Sequence, residues 1–247
     1  MSARFEELDW QETPLGAISL RRRHDPLADV EIFEVKLNDE FLMSSLFTAA
    51  ETALARLALA ELDRADVHLM VGGLGLGYTA HAALQDPRTA TVEVIEAIAP
   101  VIDWHRRELL PDTVGLATDP RCRLVQDDFF ARLSGGPAST ATSYDAILLD
   151  IDHTPHHLLN PSHADFYTAD GLRGLLSFLV DDGVFALWSD DPPDAAFEAD
   201  LGQVFATTAA HVITFPNPLT GGESSSTVYL ARHPARAAYR GGGFSPP

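Results

Sequence analysis

The sequence predicts an α/β fold: a mostly parallel sheet with helices on both faces, an antiparallel last strand, and a small β hairpin unit in front. Three observations carry this. From Asp66 onward, short apolar strands alternate with helical segments, the rhythm of a parallel sheet. The first of those strands runs into a glycine-rich turn and then a helix. The first forty-odd residues, in contrast, carry only strand and turn signals. The chain has 247 residues, 46% apolar and 21% charged, an ordinary globular balance. The expected division is a β unit over residues 1–47, an α/β domain over 48–235, and a disordered Gly/Pro tail over 236–247.

Taken in order, Leu8 to Arg23 reads as a strand interrupted by Pro14-Leu15-Gly16. Val30 to Leu37 alternates apolar and polar residues and turns at Asn38-Asp39 into Phe41 to Ser44, a hairpin. Thr48 to Leu62 has helical spacing at Leu54, Leu57, Ala58 and Leu62, with Thr48 and Glu51 spaced as a capping box. Then come strand Val67–Val71, helix Tyr78–Leu84, strand Thr91–Ile95, helix Val101–Leu110 and strand Cys122–Val125. Ser134 to Ser143 reads as a surface loop. Strand Ala146–Leu149, helix Gly171–Leu179, strand Val184–Trp188 and helix Ala195–Phe205 follow. His211–Phe215 and Ser226–Ala231 form a closing pair around Gly221-Gly222.

Charge narrows the function. The formal net charge is −19. Such a field repels phosphate backbones, so no nucleic-acid partner is expected, and it suits a small cationic one. The longest apolar stretch, Phe41 to Leu62, is broken by Glu51, Arg56 and Glu61, so no membrane span is expected. The N-terminal residues carry acids and no apolar run, unlike a signal peptide. Cys122 is the single cysteine, which excludes an intramolecular disulfide and a cysteine zinc site and fits a cytoplasmic location.

The chemistry begins after strand Val67–Val71. Gly72, Gly73, Gly75 and Gly77 form a loop that lets a ligand approach the main chain at a helix N-terminus. Counted from Gly73 it reads G-x-G-x-G. A dinucleotide loop would want its third glycine at Tyr78, and no Gly-Lys-Ser/Thr marks a P-loop. The pattern resembles motif I of class I S-adenosylmethionine (SAM) methyltransferases, whose sheet is Rossmann-like. Glu96, at the end of the second strand, is positioned to accept both hydrogen bonds of a ribose diol. The resemblance implies that Asp127, with Asp128 as rival, accepts the adenine amino group, while Ile98 packs on the ring.

Open α/β sheets bind ligands at the C-terminal ends of their strands. The fourth strand ends there in Asp150, where an acid can hold an amine and take its proton. Asp152 and His153 are further catalytic candidates. Trp188, closing the fifth strand, forms a wall. His153, His156, His157 and His163 match no metal-binding spacing, and no metal is expected.

At this point the chain resembles the spermidine synthase-like proteins. The likeness rests on the N-terminal hairpin, the Gly-Gly loop, Val94-Ile95-Glu96, Asp119-Pro120-Arg121, Tyr144-Asp145-Ala146-Ile147, Phe166-Tyr167 and Asp182-Gly183-Val184. It implies a small β domain before a SAM-fold domain, decarboxylated SAM as donor, a diamine as acceptor, and a dimer or tetramer; a homodimer is expected here, with the N-terminal hairpin as a candidate surface. Several family positions differ. The loop's acid is replaced by Gly75, and the second acid after the fourth strand by His153. The family's Tyr-His-Glu falls on Ala50-Glu51-Thr52, and the hairpin glutamine on Leu42. Glu51 and Asp152 remain as acids near the acceptor. With the diamine partners depleted, the expected reaction is methyl transfer from SAM to a small cationic amine. Aminopropyl transfer from decarboxylated SAM is the alternative, and non-catalytic nucleoside binding a second one.

Overall fold

The computed structural model describes residues 5–26, 29–136 and 143–235. Strands β1 (Phe5–Thr13), β2 (Gly16–Asp25), β3 (Val30–Leu37) and β4 (Glu40–Ser44) form an antiparallel four-stranded sheet in sequence order. The interrupted strand of the sequence reading is thus a second hairpin. Thr13 closes its turn: the hydroxyl accepts from Leu15 N at 3.2 Å and donates to the Gly16 carbonyl at 2.7 Å.

Helix α1 (Ala49–Ala60) leads into the α/β domain. Thr48 precedes it without a side-chain capping bond, so the expected capping box does not form. The domain then runs β5 (Val67–Gly72), α2 (Tyr78–Gln85), β6 (Thr89–Glu96), α3 (Ala99–Arg106), β7 (Cys122–Gln126), α4 (Phe129–Ser134) and β8 (Tyr144–Leu149). It continues through α5 (Ala169–Arg173), β9 (Leu179–Ser189), α6 (Ala195–Val204), β10 (Phe205–Asn217) and β11 (Gly222–Pro234). Two departures from the sequence reading have simple causes. Helix α4 has six residues, too short to show a period; Asp128 starts it by accepting from Ala131 N at 3.0 Å. The helix expected over Gly171–Leu179 is a short α5 continued by a 3₁₀ turn, Gly174–Ser177. The loop expected at Ser134–Ser143 lies mostly outside the described residues, and the tail expected over 236–247 lies wholly outside them.

The seven strands of the large sheet are ordered β10-β11-β9-β8-β5-β6-β7. β5 pairs in parallel with both β6 and β8, and β11 pairs antiparallel with both its neighbours, β9 and β10. Each face of the sheet has its own core, as the continuous apolar runs require. Leu69 and Val71 point into one with Leu54, Leu59 and Trp104; Met70 points into the other with Phe129, Phe185 and Phe197. The first core also takes in Ile18, Leu20 and Val35 of the N-terminal sheet. Trp104, fully buried, donates its indole N–H to Asp9 at 2.7 Å and so ties α3 to β1.

The chain moves outward from β5 to β6 and β7, then returns to place β8 on the other side of β5. Strand order reverses there, and the crevice at such a point is where open α/β sheets hold ligands.

Candidate active site

Two strand ends meet in that crevice. The loop after β5 carries the glycines, and Asp150 follows β8. They are bonded through the main chain: Asp150 N donates to the Gly72 carbonyl at 2.8 Å, and Gly73 N to the Ile95 carbonyl at 2.9 Å. Gly73 has φ +92°, and a Cβ there would lie 2.0 Å from the Asp150 carbonyl oxygen. Only glycine lets the two strand ends approach this closely.

The loop is held from below by two side chains. Glu96 is buried and accepts from Leu74 N at 3.0 Å and Ile98 N at 2.8 Å. Burial pushes its carboxyl above the usual range, and backbone donors at Ile98, Leu74, Gly75 and Ala97 pull the other way. His105 bonds the Gly75 carbonyl through Nε2 at 2.9 Å. A carbonyl only accepts, so Nε2 carries the proton. Burial lowers the pKa of His105 and keeps the ring neutral, with Nδ1 buried and without a partner among the described residues.

Above the loop lies a cavity of about 210 Å³. Its roof is β4, with Phe41 and Met43, and Phe47 just beyond. Its floor is Leu74 to Tyr78 together with Asp150 and Ile151, and Glu51, His153, Leu159, Trp188 and Asp190 complete the wall. Asp150 accepts from the Thr79 hydroxyl at 2.7 Å. Burial raises its carboxyl to about 6, against that bond. Glu51 is raised to about 8, first by burial, then by the charges of Asp150 and Asp190. Two acids share one poorly solvated space, which resists both being ionised at once. The indole N–H of Trp188 is buried without a hydrogen-bond partner among the described residues.

Of the residues singled out from the sequence, Glu51, Gly75, Gly77, Asp150, His153 and Trp188 line this cavity. The others lie off it. Gly72 packs on Phe129, and Asp127 is exposed, bonded to Asp128 N and near Arg132. Asp128 caps α4, and Ile98 packs at the edge of the first core. Asp152 is fully engaged elsewhere: it accepts from Leu159 N at 2.7 Å and the Tyr167 hydroxyl at 2.8 Å, and contacts His163 Nδ1 at 2.9 Å. It is an anchor for the loop after β8. Sequence reasoning missed the roof, Phe41, Met43 and Phe47. No local pattern marks them, because they meet the loop only through the tertiary fold.

No protein-family model matches the chain. A curated protein, polyamine aminopropyltransferase 2 of Pseudomonas aeruginosa, is 28% identical over 162 residues, which cover 62% of this chain and 43% of that protein. The chain thus matches less than half the length of that relative. The spermidine synthase of Thermotoga maritima superposes with a TM-score of 0.71 at 17% identity, covering 92% of this chain and 72% of that one. A spermidine synthase in complex with the transition-state analogue AdoDATO gives 0.72 at 16% identity, covering 92% and 73%. The fold is that of a class I methyltransferase-like α/β domain preceded by an antiparallel sheet. Within that class its fold is similar to that of the spermidine synthases.

These likenesses correct the expectation of methyl transfer. The curated relative is a polyamine aminopropyltransferase, and both structural neighbours are spermidine synthases. The sequence argument weighed acids lost at single positions, such as Gly75. In the fold the cavity draws its acids from three separate elements, α1, the end of β8 and the end of β9.

Proposed function

We propose that the protein is an aminopropyltransferase that moves the aminopropyl group of decarboxylated SAM to a small amine. The observation that carries this is the cavity at the strand-order reversal, where Glu51, Asp150 and Asp190 line one space with Phe41, Met43 and Trp188 beside the glycine loop. Apolar walls suit methylene chains, and the acids suit ammonium groups that would be costly to bury unpaired. The curated relative, a polyamine aminopropyltransferase, and the two solved spermidine synthases support the same reading.

In the proposed reaction the acceptor nitrogen attacks the methylene carbon bonded to the sulfonium. The C–S bond breaks, its electron pair stays on sulfur, and methylthioadenosine leaves. The nitrogen's extra proton passes to Asp150. The cavity's part is to align the two reactants and exclude water, and Asp150 orients the amine as well as taking the proton. The donor nucleoside lies over Gly72–Gly77. Glu96 spends part of its capacity on the loop, and its remaining lone pairs serve the ribose diol. Asp127 takes the adenine amino group, with Asp128 as the neighbouring acid, and Ile98 flanks the ring. The reading includes a homodimer in the cytoplasm. Among the described residues no helix is long and apolar enough to cross a membrane.

The test is turnover with decarboxylated SAM and a panel of diamines and monoamines. The expected result is amine-dependent release of methylthioadenosine and a product heavier by one aminopropyl group, with SAM itself inactive. A methylated product from SAM, or no amine-dependent release, overturns the reading. A second expectation concerns Glu96→Ala. It strips two buried N–H groups of their acceptor and should weaken methylthioadenosine binding by about 1–3 kcal/mol, together with a lower Tm. Calorimetry and a thermal melt on the same preparation check it; unchanged affinity in a folded variant removes Glu96 from the donor site.

A further inference from the structure

We propose that Glu40, His153 and His157 form a binding site for a divalent metal ion of the zinc type at the mouth of the cavity. Glu40 opens β4, and the two histidines lie in the loop after β8, more than a hundred residues away. Their spacing in sequence signals nothing; the fold assembles them. Glu40 Oε1 lies 3.2 Å from His153 Nε2 and 3.5 Å from His157 Nε2. One ligand atom from each of the three residues lies within 4.8 Å of the other two.

The distances favour a metal over a direct ion pair. A charge-assisted N–H···O bond closes to about 2.7–2.9 Å. Tetrahedral zinc, with bonds of about 2.0–2.1 Å, instead spaces its ligands about 3.3–3.4 Å apart. Both separations to Glu40 are close to that edge, and both imidazoles converge on the same carboxylate oxygen. The two rings are neighbours, with centroids 4.7 Å apart and planes 35° from parallel.

The backbone holds this arrangement. Thr154 is buried, and its hydroxyl accepts from His156 N at 3.1 Å and His157 N at 2.9 Å. Paired main-chain bonds between Thr154 and His157 close the turn, and Asp190 N donates to the His153 carbonyl at 2.8 Å. The other two histidines of the region face different acids. His156 Nε2 is 2.9 Å from Asp194, and His163 Nδ1 is 2.9 Å from Asp152. Two imidazoles and one carboxylate suit zinc and leave a fourth position for water or a ligand. A metal here would clamp β4, the roof, to the loop that carries Asp150, with His153 as both ligand and cavity wall. The site is independent of which group the cavity transfers.

The probe is Co²⁺, followed by Zn²⁺ competition, on the full chain freed of any affinity tag and stripped with a chelator. The expected result is one saturable equivalent of Co²⁺ with the intense visible absorption of a tetrahedral centre, displaced by Zn²⁺. His157→Ala and Glu40→Gln should each weaken binding at least about tenfold, since each removes one of three ligands. Both side chains are largely exposed, so the fold should survive; circular dichroism checks it. His156→Ala should bind as the parent does. Absence of a saturable equivalent, or parental affinity in His157→Ala, overturns the proposal and leaves two histidine–carboxylate contacts.

Discussion

Asp150→Asn is expected to lower turnover by about 10²–10⁴-fold while donor affinity stays within about twofold. Asparagine keeps the shape and can still take the Thr79 hydroxyl bond made at 2.7 Å. It cannot take a proton or carry the charge that orients an ammonium. The main-chain bond from residue 150 to Gly72 is untouched, so the loop keeps its shape. The measurements are steady-state release of methylthioadenosine and calorimetric affinity for the donor. A variant that turns over normally, or whose defect is confined to donor binding, would end the role assigned to this acid.

The sequence made the α/β domain readable because its signals are local. Apolar runs such as Leu69–Val71 and Ala146–Leu149 are buried on both faces, and Gly73 needs a backbone conformation that few residues but glycine adopt. The place of Asp150 in the cavity is legible for the same reason: a strand-end acid at the reversal of strand order is visible once the strands are ordered. What stayed hidden depends on contacts distant in the chain. Met43 roofs the loop from the N-terminal sheet, and Glu40 meets His153 and His157 only after that sheet docks. Asp152 reads like a second site acid by position, yet Tyr167 and Leu159 N claim it. Nothing in the linear pattern separates it from Asp150.

Gly75 shows why single-position comparison misled the choice of reaction. The family resemblance puts an acid there. In this fold a Cβ at Gly75 would lie 2.6 Å from the Met43 sulfur, so the thioether occupies the space that an acid's side chain needs. The exchange makes the roof more apolar and leaves Glu51, Asp150 and Asp190 as the acids of the cavity. On the proposed reading the amine's ammonium lies against these acids and its carbon chain against Phe41, Met43 and Trp188, which line the same cavity.

Glu51→Gln should change the pH dependence of both stability and acceptor binding. Burial, then Asp150, then Asp190 raise the Glu51 carboxyl from its ordinary 4.5 to about 8. Across that window the folded chain keeps a proton that the unfolded chain has released. Stability therefore falls as pH rises from 4.5 to about 8 and stays reduced above it. Glutamine has no proton to lose, so the variant should match or trail the parent in acid. It should exceed it at alkaline pH, by on the order of 2 kcal/mol. Binding runs in the opposite sense. A cationic amine favours the ionised Glu51, so at neutral pH its binding should release a proton in the parent and fewer in the variant. Affinity for the amine should fall at least about tenfold, as for a buried charge that loses its partner. Urea titrations across the pH range, and calorimetry of amine binding in buffers of differing ionisation enthalpy, measure the two effects. If the stability curves of parent and variant run parallel from acid to alkali, Glu51 does not hold the proton assigned to it.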